Sequence, residues 1–392
     1  MKNLTLSLLF ATSTLSAITL SEVIDKSLIN SPSLESINAK IKANEYASDV
    51  ANQFENPELS LTKNTIDSSA PMSQTVLTIK QKLPYYGKRD LKQNITFAED
   101  EVLKEKLNAA KAVMVQKIKT QAYSIWELKE LYKIIDEYIT LTKKNIELYE
   151  AYTSVDDNQH IGIMKAELSL ADLEIQKSLL NAKIYASYAK LSYLAAFDVK
   201  NLEVNLKIAQ KPILNSFIPT LVNNPELLIK DKELKKENAK IEVADINNYP
   251  DLNLIAGYAY RENFDNYFNF GLALSLPMYG TEDALEEEVR AAALEVVSQK
   301  EDTKIAISAE LKIYYAQMLS SYEIYHIIQD DALPQIAHMF ELSNSSISTG
   351  GDLFKYIDVL FDKLALEQKS INAVSNYNKA NAQISQLAGE IK

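Results

Sequence analysis

Between Ser73 and Arg89 the chain reads SQTVLTIKQKLPYYGKR. Leu77, Ile79 and Leu83 fall on one face of an alternating run, and Thr78, Lys80 and Lys82 on the other. That is the period of a strand lying between two unlike surroundings. Pro84 and Gly87 end the run, and a long helical pattern follows. The design returns in YFNFGLALSLPMYG, Tyr267 to Gly280, where Phe268, Phe270, Leu272, Leu274 and Leu276 alternate with Asn269, Gly271, Ala273 and Ser275. Pro84 and Pro277 lie 193 positions apart, and so do Gly87 and Gly280. One strand-to-helix junction is used twice.

Taken in order, residues 1–17 carry Lys2, the apolar run Leu4 to Phe10 and small residues ending at Ala17, the layout of a secretory signal peptide. From Thr19 the pattern predicts helix, with Ser21 as N-cap before Glu22 and an interruption at Pro32. A first strand is predicted over 57–66, with Leu59 and Leu61 on one face, and a second over 73–84. A helix over 88–153 follows, in which Leu103, Leu107, Ala110, Met114, Ile118, Ala122 and Ile125 step by three and four. At ~1.5 Å per residue it is a rod of roughly 100 Å, and it must pack lengthwise against other long helices. SVDDNQ, Ser154 to Gln159, reads as a hairpin tip before a return helix over 160–197. Residues 198–222 lose periodicity, contain Pro212 and Pro219, and read as a linker.

The remainder repeats the first half. Asn30-Ser31-Pro32 is answered by Asn223-Asn224-Pro225, and Pro57-Glu58-Leu59-Ser60-Leu61 by Pro250-Asp251-Leu252-Asn253-Leu254, both at an offset of 193. The tip at Asp157-Asn158 falls on Gly350-Gly351. One offset held through helix, strand and loop means duplication. Residues 18–222 thus form a first structural repeat and 223–392 a second. The second has strands over 250–260 and 267–277, a long helix over 281–345 and a return helix over 352–389. Tyr258, Tyr260, Tyr267 and Phe268 cluster at the turn between its strands, like the aromatic girdle of an outer-membrane barrel.

Composition narrows the choices. A formal net charge of -12 and no basic stripe argue against nucleic acid. No window offers the ~18 consecutive apolar residues of a membrane helix. Glycine is scarce, at 8 residues, which suits uninterrupted helices, and cysteine is absent, so there are no disulfides or thiolate chemistry. No nucleophile–base pattern, phosphate-binding loop or HExxH occurs, so no enzyme and no cofactor are expected. Strands of roughly 10 residues are long enough to cross a membrane when tilted. Four per chain cannot close a barrel, so several chains must pool them; eight, twelve or sixteen strands would all satisfy the pattern. The alternative is a periplasmic coiled-coil adaptor or structural protein without a membrane barrel.

Two tandem repeats, each opening with a phrase like LSEVIDKSLINSPSL and carrying a strand that ends in LPYYGKR or LPMYG, resemble the TolC family of outer membrane efflux proteins. The PYYGKR phrase is similar to the heavy-metal-efflux branch. The resemblance implies a mainly α fold with membrane β: a homotrimer whose α-helical barrel in the periplasm is continued by a 12-strand β-barrel in outer-membrane lipid. It implies an exit duct for small molecules or metal ions in a tripartite efflux or secretion system. The partners would be a periplasmic adaptor and an inner-membrane pump, of the RND type. Lipoprotein members carry a cysteine after the signal, which this chain lacks.

Site residues come over by position. The family's periplasmic entrance is narrowed by aspartates just after the second tip, where this chain reads YIDVLFD; Asp358 is the matching residue and Asp362 lies one helical turn on. Three copies of each would make a ring favouring cations. The repeat partner of Asp358 is Lys165, which could pair with it as a closing latch. Adaptor contact falls on the tips, at Asp156, Asp157, Thr349, Gly350 and Gly351. Gly appears only in the second tip. Of the three histidines, His160, His326 and His338, the last adjoins Met339; adjacent helical residues point about 100° apart and chelate poorly together. Packing and surface roles are expected for all three, and a solvated helix face for Glu286-Glu287-Glu288.

Overall fold

The computed structural model describes residues 18–65, 72–152, 157–347 and 353–391. The chain is mostly helical, and the described residues fall into two compact units. Residues 33–109 and 223–307 form one; the rest form the other.

The first unit holds the sheet. Strands β2 (Glu58–Lys63), β3 (Gln74–Leu83), β5 (Leu252–Arg261) and β6 (Tyr267–Leu274) pair in that order, antiparallel throughout. Each ends a residue or more inside its expected span, except β5, which runs on to Arg261. The register lines up one apolar face in rows: Leu61, Leu77, Tyr258 and Phe268; Leu59, Ile79, Ala256 and Phe270; Gln81, Leu254 and Leu272; Leu83, Leu252 and Leu274. A slip of one residue would turn every one of these side chains over, so the alternation fixes the register. Helices α2 (Pro32–Ala51) and α6 (Pro225–Ile246) pack in this unit with the first part of α3 (Lys88–Tyr152) and of α7 (Thr281–His326). Asn224 caps α6 by accepting from the backbone N–H of Glu226 and Leu227. Charged pairs stitch α6 to α3, Lys232 to Glu101 at 2.8 Å and Lys236 to Glu99 at 2.9 Å.

The second unit is a helical bundle. Helix α1 (Leu20–Asn30) is capped by Thr19, not Ser21. The Thr19 hydroxyl accepts from Glu22 N–H while the Glu22 carboxylate accepts from Thr19 N–H, a reciprocal capping box that a Ser21 cap could not make with Glu22. Just before it, β1 (Ile18–Thr19) pairs parallel with β4 (Leu202–Glu203). Further along α3, Val115, Ile118, Ala122 and Ile125 are buried against α1 and α4 (Asp157–Ala195), around Val23 and Leu191. A second core joins Ile135, Leu173, Tyr356 and Leu360. Helix α9 (Leu353–Leu387) is the most enclosed, with buried residues along its whole length.

Two expectations are corrected here. Residues 198–222 are not a bare linker: β4, α5 (Leu214–Phe217) and a 3₁₀ turn (Ile218–Asn223) lie within or at its end. At the offset of 193, the last two stand where α1 stands in the first repeat. Pro219, lacking an N–H, cuts that helix to a stub. The second long helix does not run unbroken over 281–345 either. It opens into a π turn at Ile327–Ala332 before α8 (Leu333–Ile347). Pro334 cannot bond to the carbonyl four residues back and its ring would collide with it, so the helix widens just upstream. The equivalent residue in α3 is Leu141, and α3 stays regular for 65 residues.

Candidate functional site

The strand-to-helix junctions are built on glycine. Gly87 has φ +88° and Gly280 φ +71°, where a side chain would be strained, and each carbonyl then accepts the first helical bond, from Leu91 and Ala284. Pro84 and Pro277 close the strands before them. Between β3 and β5 lies an anchor that sequence reasoning missed. The ammonium of Lys88, almost wholly buried, donates to Asp251 at 2.8 Å and to the Tyr249 carbonyl at 2.7 Å. Asp251 also accepts from Tyr85 N–H at 3.0 Å, and Tyr85 stacks on Tyr249 at 4.7 Å. Burial pushes the Asp251 carboxyl up, but Lys88, the Tyr85 amide and Lys82 outweigh it and hold it below the ordinary range. The signal was present: Asp251 repeats Glu58 after a proline, and Lys88 follows the junction glycine.

The apolar face of the sheet is open. Leu61 is 70% exposed, Phe270 83% and Leu272 73%. The opposite face carries Lys80, Thr78, Asn253 and Asn269. Tyr258 and Phe268 meet across β5 and β6 at 5.0 Å, and Tyr260 continues their face. Tyr267 does not: it pairs with Ala259 on the polar face, near Gln74 and under the Arg261 guanidinium. Alternation separates neighbours in sequence, and the loose grouping by position overlooked it. Among the described residues, strands β2 and β6 each leave one edge unpaired.

At the second-tip side, Lys165 donates to Asp358 at 2.6 Å and lies over the Phe354 ring. Asp362 is exposed one turn on. Beneath them Asn145 donates to the buried Tyr356 hydroxyl at 2.7 Å. Asp156, Thr349, Gly350 and Gly351 lie outside the described residues, as does the side chain of Asp157. His160 and His338 are exposed; His326 contacts Asp330 at 3.0 Å. Among the described residues no group of three or more His, Asp or Glu is placed to hold a metal, and no helix is long and apolar enough to cross a membrane.

No protein-family model and no curated protein matches this sequence. Solved structures do. The outer membrane protein VceC of Vibrio cholerae is 15% identical with a TM-score of 0.77, over 94% of this chain and 96% of that one. The open-state MtrE outer membrane channel of Neisseria gonorrhoeae is 11% identical with a TM-score of 0.78, over 94% and 88%. This chain has the fold of outer-membrane channels. A third, the CmeC outer membrane channel of Campylobacter jejuni, is 14% identical with a TM-score of 0.76, over 98% and 90%. The TolC-family resemblance read from the repeats and this channel fold coincide.

Proposed function

We propose that the protein is a passive exit duct of the outer membrane, with a large periplasmic helical tunnel and no enzymatic activity of its own. The observation that carries this is the sheet: four antiparallel strands with one continuous exposed apolar face, a polar back and two free edges. Lipid satisfies such a face, and edges in lipid must be closed. Three copies, each pairing β6 with β2 of the next, would alternate antiparallel throughout and give a 12-strand barrel. A periplasmic coiled-coil protein without a barrel would have no use for that face.

In this reading the duct serves a tripartite efflux system, with a periplasmic adaptor at the tips and an inner-membrane pump, of the RND type, supplying the energy. Small molecules or metal ions would pass. Asp358 and Asp362, tripled by symmetry, would narrow the entrance with negative charge. The Lys165–Asp358 contact would hold it closed, and the tip residues 156–157 and 349–351 would meet the adaptor. The test is the mass of the detergent-extracted protein by light scattering, corrected for bound detergent, followed by single-channel conductance. A trimer from the outer-membrane fraction that conducts supports the duct; a monomer from the soluble fraction overturns it.

A further inference from the structure

Tyr86 and Tyr279 occupy the same position in the two repeats, one residue before the junction glycines, and both rings are almost wholly exposed, 91% and 94%. Tyrosine with nothing on either face is unusual for a residue that buries a large apolar ring when it can. Met278 and Leu276 are also exposed, and the apolar rows of the sheet begin just above, at Leu83, Leu252 and Leu274. Four residues after each tyrosine comes an aspartate, Asp90 and Asp283, in the first turn of α3 and of α7. In each repeat the chain thus passes from apolar strand to tyrosine, and from tyrosine to acid within about one helical turn.

We infer that Tyr86 and Tyr279 form a second aromatic belt, seated in the lipid head-group zone on the side from which the helices leave. This deepens the exit-duct reading and rests on it. The spacing supports the assignment. From Leu77, in the row of Tyr258 and Phe268, the strand runs six residues to Leu83 and the chain three more to Tyr86, at most about 30 Å at ~3.3 Å each. A strand tilt of ~35–45° leaves at most about 21–24 Å of height, within the ≈ 25 Å apolar band of outer-membrane barrels, which aromatic girdles flank on both sides. The indole or phenol ring suits that zone because its body is apolar and its tip polar. Asp90 and Asp283 then mark where water begins.

The protein has no cysteine, so single cysteines carry a nitroxide label without a background. Labels at Tyr86→Cys, Tyr279→Cys, Phe270→Cys and Glu287→Cys, in the full chain reconstituted into phosphatidylethanolamine–phosphatidylglycerol liposomes, report depth through collision with oxygen against a nickel chelate. The expected order is Phe270 deepest, Tyr86 and Tyr279 together at head-group depth, and Glu287 in water. If Tyr86 and Tyr279 are as open to nickel as Glu287 while Phe270 is in lipid, the belt is overturned and the duct stands. If Phe270 itself shows no lipid exposure, the duct reading fails and the belt with it. As a second measurement, Tyr86→Ser with Tyr279→Ser lowers the fraction of protein inserted, and Tyr86→Trp with Tyr279→Trp keeps it; equal insertion by both pairs overturns the belt.

Discussion

Lys165 and Asp358 are the same position of the two repeats, 193 residues apart, and their side chains meet at 2.6 Å. The duplication has therefore been used asymmetrically: one copy kept a cation and the other an anion, and each closes on the other. Both are partly exposed, so the pair is worth at most about 1 kcal/mol to the fold. Its effect should show in conduction instead. Asp358→Ala is expected to raise single-channel conductance or weaken block by cations, and Lys165→Met to shift the channel in the same direction with no loss of cation block. Unchanged conductance and cation response in Asp358→Ala would remove it from the entrance.

Asp251 ties the Tyr85 amide and the buried Lys88 to the start of β5. Because its folded pKa is lowered, the stability it contributes is complete above the unfolded value near 4 and is lost as pH falls through the folded one. Guanidinium midpoints of the solubilised protein should fall below about pH 4. Asp251→Asn should lose that portion of the acid dependence. At neutral pH it should cost about 3 kcal/mol, because Lys88 is left buried without its counter-charge.

A methyl at Gly257 would stand 2.1 Å from the Asn269 side-chain oxygen. Gly257→Ala is expected to destabilise the sheet by about 1–3 kcal/mol, the usual range for overpacking. Asn269 is a short side chain on an edge strand, so adding Asn269→Ala should recover most of the loss. Thermal unfolding of the single and double variants checks this.

The Thr142 hydroxyl is fully buried and has no hydrogen-bond partner among the described residues. Thr142→Val keeps the shape and removes the orphan, so it should raise stability by about 1 kcal/mol. A drop would mean that an ordered water already satisfies the hydroxyl.

The strands, the junctions and the long first helix were legible because each rests on a local pattern: alternation, a glycine that must take positive φ, a step of three and four. The anchor at Lys88 and Asp251 was not, because a buried lysine looks like any surface lysine until its partner, 163 residues away, is brought to it. Pro334 was legible and overlooked, since a strong helical period on both sides hid the one residue that breaks it. The contact between Lys165 and Asp358 was legible from the family resemblance that singled out Asp358 and the constant offset that leads from it to Lys165, whereas the tips lie where the structure describes nothing to compare.

Asp136 and Lys177 join α3 to α4, and their counterparts Gln329 and Ser370 make the same contact in the second repeat at 2.9 Å without charge. Equivalence by counting therefore holds down to the π turn. Beyond it, Leu333 N–H reaches back five residues to Ile328 rather than four. That wider turn takes up one residue more, so α8 is rotated by about 100° relative to a continuous helix. Adding 193 to a residue of the last turns of α3 names its partner in sequence, yet that partner looks out in another direction. Past the π turn, the two repeats of one chain therefore present different faces at equivalent positions.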